Sequence, residues 1–144
     1  MLVTCAGSEG LEDQADLLIA LETGPEILTG STRLKAGSAT KAVLNAITTA
    51  AMVRTGKAYE NLMVDLRPGS AKLRDRAVRI VESAGQVSRE EADRLIRTAD
   101  GEVKTAIVMG RCQVPVEEAR RRLSAARGHV RKALTNFRDL ERSQ

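Results

Sequence analysis

The sequence predicts a mainly α-helical protein. It opens as the end of a parallel α/β sheet, with two short strands and a long helix, and closes as a small helical subdomain of repeated helix hairpins. Three observations predict this. Residues 2–5 and 17–21 are short, continuous apolar runs bounded by Gly or charged residues, the pattern of strands covered on both faces. Residues 34–53 are mostly Ala, Val, Leu, Ile, Thr or Met. Residues 87–107 align with residues 114–134 at an offset of 27, with nine of 21 pairs identical.

Taken in order, the two strands flank residues 9–16, which suit a short helical connection. Two strands alone make a marginal sheet, and an exposed strand edge calls for further strands from a missing segment or a partner. The long helix is expected from about Ser31 to Thr55, largely buried, with Gly56 closing it as the residue after the C-cap. Residues 57–67 form a connector whose Asn61-Leu-Met-Val-Asp65 core suits extended backbone, and Pro68-Gly69 marks a turn. Ser70 can cap a helix over 71–83, where Leu73, Ala77, Ile80 and Val81 recur at helical spacing.

Each repeat unit then reads cap, helix, Gly turn, helix. Ser88 and Glu91 have capping-box spacing, Pro115 fits a helix start, and Gly101 and Gly128 fall at the tight turns. Neither hairpin can bury a core alone, so they are expected to pack on each other and on helix 71–83. The domain division expected is 1–67 and 68–144.

Composition bounds the function. The 144 residues carry 42% hydrophobic and 29% charged side chains, the balance of a folded rather than a disordered chain. One Tyr, one Phe and no Trp mean a core of small aliphatic contacts. The net charge of +4 is graded, from −3 over residues 1–50 to +5 over residues 111–144. With almost no aromatic side chains for base stacking and Arg interleaved with Glu and Asp, the basic end reads as a solvated helix face and no nucleic acid is expected. No stretch reaches the ~20 apolar residues of a membrane span. The first residues lack a signal-peptide pattern, so a cytoplasmic location is expected. Cys5 and Cys112 have no metal-ligand or redox spacing and read as reduced, buried thiols. The sole histidine, His129, aligns with Glu102 in an exposed-looking position with no nucleophile or metal-ligand companions.

The most distinctive stretch is Gly24-Pro-Glu-Ile-Leu-Thr-Gly-Ser-Thr-Arg-Leu-Lys-Ala-Gly-Ser-Ala-Thr-Lys41. It sets hydroxyls, flexible backbone and cations at the entry of the long helix, where unpaired N–H groups and the helix dipole suit a phosphate or carboxylate. The same residues also read as an ordinary N-cap at Thr29 or Ser31, with Arg33 and Lys35 in solvent. Lys41 and Asn45, four residues apart, share a helix face and suit either a cavity wall or structural hydrogen bonds. Asn61 and Asp65 suit a turn or cap as well as a ligand. Glu90-Glu91 and Glu117-Glu118 lie in first turns, where carboxylates favour the dipole.

The run from Gly24 to Ala39 resembles the signature of bacterial N-acetylmuramic acid 6-phosphate etherases, sugar-isomerase (SIS) enzymes of flavodoxin-like fold related to the glucokinase regulatory protein. The likeness continues through Lys41-Ala-Val-Leu-Asn45, Gly56-Lys57, Asn61-Leu-Met-Val-Asp65, Lys72-Leu-Arg74, Arg76-Ala-Val-Arg-Ile-Val81 and Lys104-Thr-Ala-Ile-Val-Met109. Such enzymes have a longer chain, whose first half holds most of the sheet, the catalytic glutamates and a Ser/Thr-rich sugar-phosphate loop. Nothing in residues 1–24 resembles those parts, so the chain resembles the carboxyl-terminal half.

The resemblance implies a lyase that cleaves a D-lactyl ether to N-acetylglucosamine 6-phosphate and D-lactate in cell-wall sugar recycling, without cofactor or metal. It implies a sugar-phosphate site at Glu26, Thr29, Ser31, Thr32, Arg33 and Lys35 and no catalytic residue within the chain. It further implies a homodimer, or association with the missing amino-terminal half. The alternative is a non-catalytic module that senses a phosphosugar or docks a partner protein.

Overall fold

The computed structural model describes residues 1–135; residues 136–144, inside the expected helical subdomain of 68–144, lie outside the described residues. The protein is mainly helical, with six α-helices and two small sheets among the described residues. It divides into two compact units, Met1–Ala51 and Met52–Gln144.

In the first unit, β1 (Leu2–Thr4) and β2 (Leu18–Ala20) pair in parallel, with Leu2 opposite Leu18 and Thr4 opposite Ala20. The connection between them contains a single 3-10 turn, Glu12–Gln14. After β2 the chain runs through an irregular loop into α1 (Lys35–Arg54). The expected start at Ser31 is corrected: residues 32–34 form turns, with Leu34 N–H donating to the Ser31 carbonyl, and the helix begins at Lys35. The C-terminus follows expectation. Gly56 is left-handed (φ 73°), its N–H donates to Val53 and that of Lys57 to Met52, the two bonds of a Schellman motif.

The expected burial of α1 is also corrected. None of its 20 residues is buried, and Leu44, Met52 and Val53 are 44–51% exposed. Two three-residue strands cannot cover a helix about 30 Å long, so its apolar composition finds no matching surface within the unit.

The second unit is built around a continuous aliphatic core. A two-residue-strand hairpin, β3 (Ala58–Tyr59) with β4 (Leu62–Met63), precedes it. Helix α2 (Ala71–Gly85) is capped by Ser70, whose hydroxyl accepts from the Leu73 N–H, as expected. Helices α3 (Arg89–Thr98), α4 (Val103–Cys112), α5 (Val116–Ala125) and α6 (Val130–Leu134) follow. α4 packs against α2, α3, α5 and α6. Its Val103, Ile107 and Val108 are fully buried alongside Val64, Val81 and Val130.

The starts of α3 and α5 are 27 residues apart, and so are those of α4 and α6. Left-handed residues recur at the same spacing: Gln86 and Gln113, Asp100 and Arg127, Gly101 and Gly128. The capping box at Ser88 is half made. Its hydroxyl accepts from the Glu91 N–H, while the Glu91 carboxylate turns to Arg94. Small residues set the helix spacing, for a Cβ on Gly110 would meet Val87 Cγ1 at 3.2 Å and the Gly85 carbonyl at 3.3 Å. Cys5 and Cys112 are free thiols, as expected, but half-buried rather than buried.

Candidate functional site

An open groove of about 830 Å³ lies at the carboxyl ends of β1 and β2, where α/β sheets place their ligands. One wall is the end of β1 and the residues after it, Val3 to Ala6; a second is the loop residues Thr23, Gly24 and Glu26. The third is a stripe of α1: Ala36, Gly37, Thr40, Lys41, Leu44 and Asn45. Those positions recur at three- and four-residue steps, so they share one helix face.

Glu26 joins the loop wall of the groove to the start of α1. One carboxylate oxygen accepts from the Lys35 N–H at 2.9 Å and the other from the Ala36 N–H at 3.0 Å. The carboxylate thus caps α1 from nine residues upstream. These bonds, that to Ala36 first and that to Lys35 next, hold the Glu26 carboxyl below the usual glutamate range, with the Lys35 charge adding to them against a small desolvation cost. The Lys35 ammonium donates to the Pro25 carbonyl at 2.9 Å and pins the same loop. The next two amides are also satisfied, Gly37 N–H by the Thr32 carbonyl at 2.8 Å and Ser38 N–H by that of Leu34 at 3.0 Å. All four N–H groups at the helix start therefore have partners within the chain; of the two readings the sequence left open, a capped start is met, by Glu26 rather than Thr29 or Ser31, and an open anion-binding terminus is not.

The structure places the other sequence-predicted residues as follows. Thr32 lines the groove with Glu26. Thr29, Ser31, Arg33 and Lys35 stand on the adjoining turns, outside its lining, and all but Ser31 are exposed. Lys41 and Asn45, which the sequence left between cavity and structural roles, line it. The β1 end was missed as a wall. Its signal was available, since Thr4 and Cys5 close the first strand candidate, and strand ends are where such clefts open. Cys5 Sγ lies 3.2 Å from Thr40 Oγ1 and 3.4 Å from the Ala36 carbonyl, tying the strand end to the helix.

In the second unit two carboxylates, Asp65 and Glu102, are held in ion pairs. Asp65 bridges Lys104 at 2.9 Å and Lys57 at 3.4 Å, and the Lys104 hydrogen bond is the leading cause that lowers its pKa. Glu102 accepts from Thr105 at 2.8 Å and Arg120 at 3.0 Å, joining α4 to α5. His129 is the N-cap residue of α6 and is half-buried, as is Glu102 at the matching position. No group of His, Cys, Asp and Glu among the described residues has the arrangement of a metal site. No helix among them is long and apolar enough to cross a membrane.

The groove thus brings together hydroxyls from Thr4, Thr23, Thr32 and Thr40, one amide, one cation and one carboxylate. The chain is 53% identical over 132 residues to an N-acetylmuramic acid 6-phosphate etherase of Geobacillus thermodenitrificans, covering 92% of this chain and 45% of that protein. It is 56% identical over 95 residues to the protein of the same name in Oceanobacillus iheyensis (66% and 32% covered). For Photorhabdus laumondii the figures are 49% over 107 residues, 74% and 36%. No protein-family profile matches the chain. The chain is a relative of the N-acetylmuramic acid 6-phosphate etherases and spans less than half the length of those it matches.

Proposed function

We propose that the chain is part of a lyase that cleaves the D-lactyl ether of N-acetylmuramic acid 6-phosphate to N-acetylglucosamine 6-phosphate and D-lactate, in the recycling of cell-wall sugars. The observation that carries this reading is the coincidence of two facts. The stretch resembling the etherase signature, residues 24–39, forms the loop and helix start that border the groove, and the relatives named for this substrate match the chain at 49–56% identity. The chain's contribution is recognition of the sugar phosphate. Glu26 and Thr32 face the ligand, and Thr29, Ser31, Arg33 and Lys35 serve it at the groove's edge.

Breaking the ether by elimination requires a base for the proton beside the carbonyl and an acid for the departing oxygen. Glu26 is the only carboxylate lining the groove among the described residues, and its oxygens are committed to α1. The proposal therefore draws acid and base from the part of the relatives' length that the chain does not span. It invokes neither cofactor nor metal. In this reading residues 1–67 end an SIS domain, residues 68–144 form its small helical subdomain of hairpin repeats, and the unpaired edge of β1 and the exposed face of α1 assemble with an amino-terminal half or a second copy in the cytoplasm.

The test is D-lactate release from N-acetylmuramic acid 6-phosphate. The expected result is none from this chain alone and release after mixing with a polypeptide corresponding to the remainder of the Geobacillus relative. Release by the chain alone overturns the division of roles. The commitment of Glu26 to the helix favours one second reading, a non-catalytic module that senses phosphosugars or docks a partner. Sugar-phosphate binding without any complementation of cleavage selects it.

A further inference from the structure

We infer that Lys41 is the residue that pairs with the ligand's anionic group, with Asn45 one turn further along α1 hydrogen-bonding the adjacent part of the ligand. The inference rests on the reading of the groove as a sugar-phosphate site and names the side chain that supplies its charge. Residues 1–51 contain three cations, Arg33, Lys35 and Lys41. The Lys35 ammonium is bound to the Pro25 carbonyl. Arg33, exposed as Lys41 is, lies outside the lining. Lys41 alone of the three lines the groove, and it makes no hydrogen bond or ion pair with any described residue.

The backbone does not supply an alternative. The amides of Lys35, Ala36, Gly37 and Ser38 are each bonded within the chain, so an anion at the helix start would find none of these four N–H groups free and would face the Glu26 carboxylate. Glu26 and Lys41 are the two charged side chains in the lining, of opposite sign, and a ligand with one charged and one hydroxylated end is oriented by them. Its hydroxyls go toward Glu26 and Thr32, its anion toward Lys41.

Helical side chains lean toward the N-terminus, which carries the Lys41 head back over the turn that contains Gly37. Gly37 lines the groove and carries no side chain. A Cβ there would already meet the Thr32 carbonyl at 3.3 Å. Asn45, at the next helical step, lies on the same face and offers both a donor and an acceptor.

The experiment titrates the full chain and its Lys41→Met and Arg33→Met variants with N-acetylglucosamine 6-phosphate, N-acetylmuramic acid and N-acetylglucosamine. These probes carry phosphate only, carboxylate only and no charge. Circular dichroism verifies that helix content is retained. A charge-assisted bond to an anion is worth about tenfold or more in affinity. The expected result is a loss of about fivefold or more for Lys41→Met with whichever charged probe binds the unmodified chain, and a smaller loss for Arg33→Met. The probe affected says whether phosphate or carboxylate occupies the position. A loss below about fivefold for Lys41→Met, or an equal loss for both variants, overturns the assignment while leaving the sugar-phosphate reading in place. Absence of binding of either charged probe to the unmodified chain sinks both.

Discussion

A Cβ placed on Gly56 would lie 2.9 Å from the carbonyl oxygen of Gly128 and 3.0 Å from its carbonyl carbon. Gly56 ends α1 and Gly128 turns α5 into α6, and both are left-handed, at φ 73° and 78°. Their backbones meet without side chains between them, inside the second unit.

Gly56→Ala is therefore expected to be severe. Left-handed strain and the clash with backbone act together, for a destabilisation of roughly 2–4 kcal/mol. Gly69→Ala, whose added methyl meets nothing within 4 Å, is the control. Denaturant unfolding followed by circular dichroism compares the two.

Core packing predicts a second loss. Ile107 is fully buried at the centre of α4, and Ile107→Ala should cost about 2–5 kcal/mol through lost transfer energy and a residual cavity. Gly110→Ala should cost less, about 1–3 kcal/mol, because Val87 and Leu95 must yield around the new methyl. Denaturation midpoints measured on both variants check the order.

Glu26→Gln should loosen the start of α1 without unfolding the second unit. Amide hydrogen exchange at Lys35 and Ala36 is expected to accelerate, since the amide side chain has one acceptor oxygen in place of two. Acid should do the same to the unmodified chain. The Glu26 pKa is lowered in the folded state, so its contribution is present above the ordinary glutamate value and disappears as the pH falls through the depressed one. Exchange at these two amides that does not change on acidification, after correction for intrinsic rates, would contradict the capping role.

Asp65→Asn removes the acceptor shared by Lys57 and Lys104. The carboxylate is 36% exposed, so solvent screening limits the expected loss to about 1 kcal/mol. Its folded pKa is also lowered, chiefly by Lys104. The stabilisation is therefore complete above the ordinary aspartate value and lost as the pH drops through the folded one. In Asp65→Asn, the acid-induced fall in thermal midpoint should shrink correspondingly.

The elements legible in the sequence were those with local signals. Residues 2–5 and 17–21 announced strands by their uninterrupted apolar runs. Ser70 and Ser88 announced caps three residues ahead of the amides they bind. Gly101 and Gly128 marked turns by residue type alone. Elements held by distant partners were not legible. The β3–β4 hairpin, though local, was only half legible: extended backbone was expected over residues 61–65, which contain β4, but the turn through Glu60 at φ 52° has no glycine to flag it. The start of α1 was misplaced because its cap is Glu26, nine residues away, and not the nearby Thr29 or Ser31. The burial of α1 was misjudged because composition reports what a helix would bury, not whether a surface exists to bury it. In the site, the loop was visible as a motif. That its amides are already bonded, and that Lys41 faces the groove, required coordinates.

The central place of α4 has a consequence for how the second unit comes apart. Because α2, α3, α5 and α6 all lean on it, none can be shed as a peripheral layer without wetting Val103, Ile107 or Val108. The segment from Ala71 to Leu134 should consequently melt in one all-or-none step. A protease nick at the Gln113 turn would then abolish its structure rather than release a shorter stable piece.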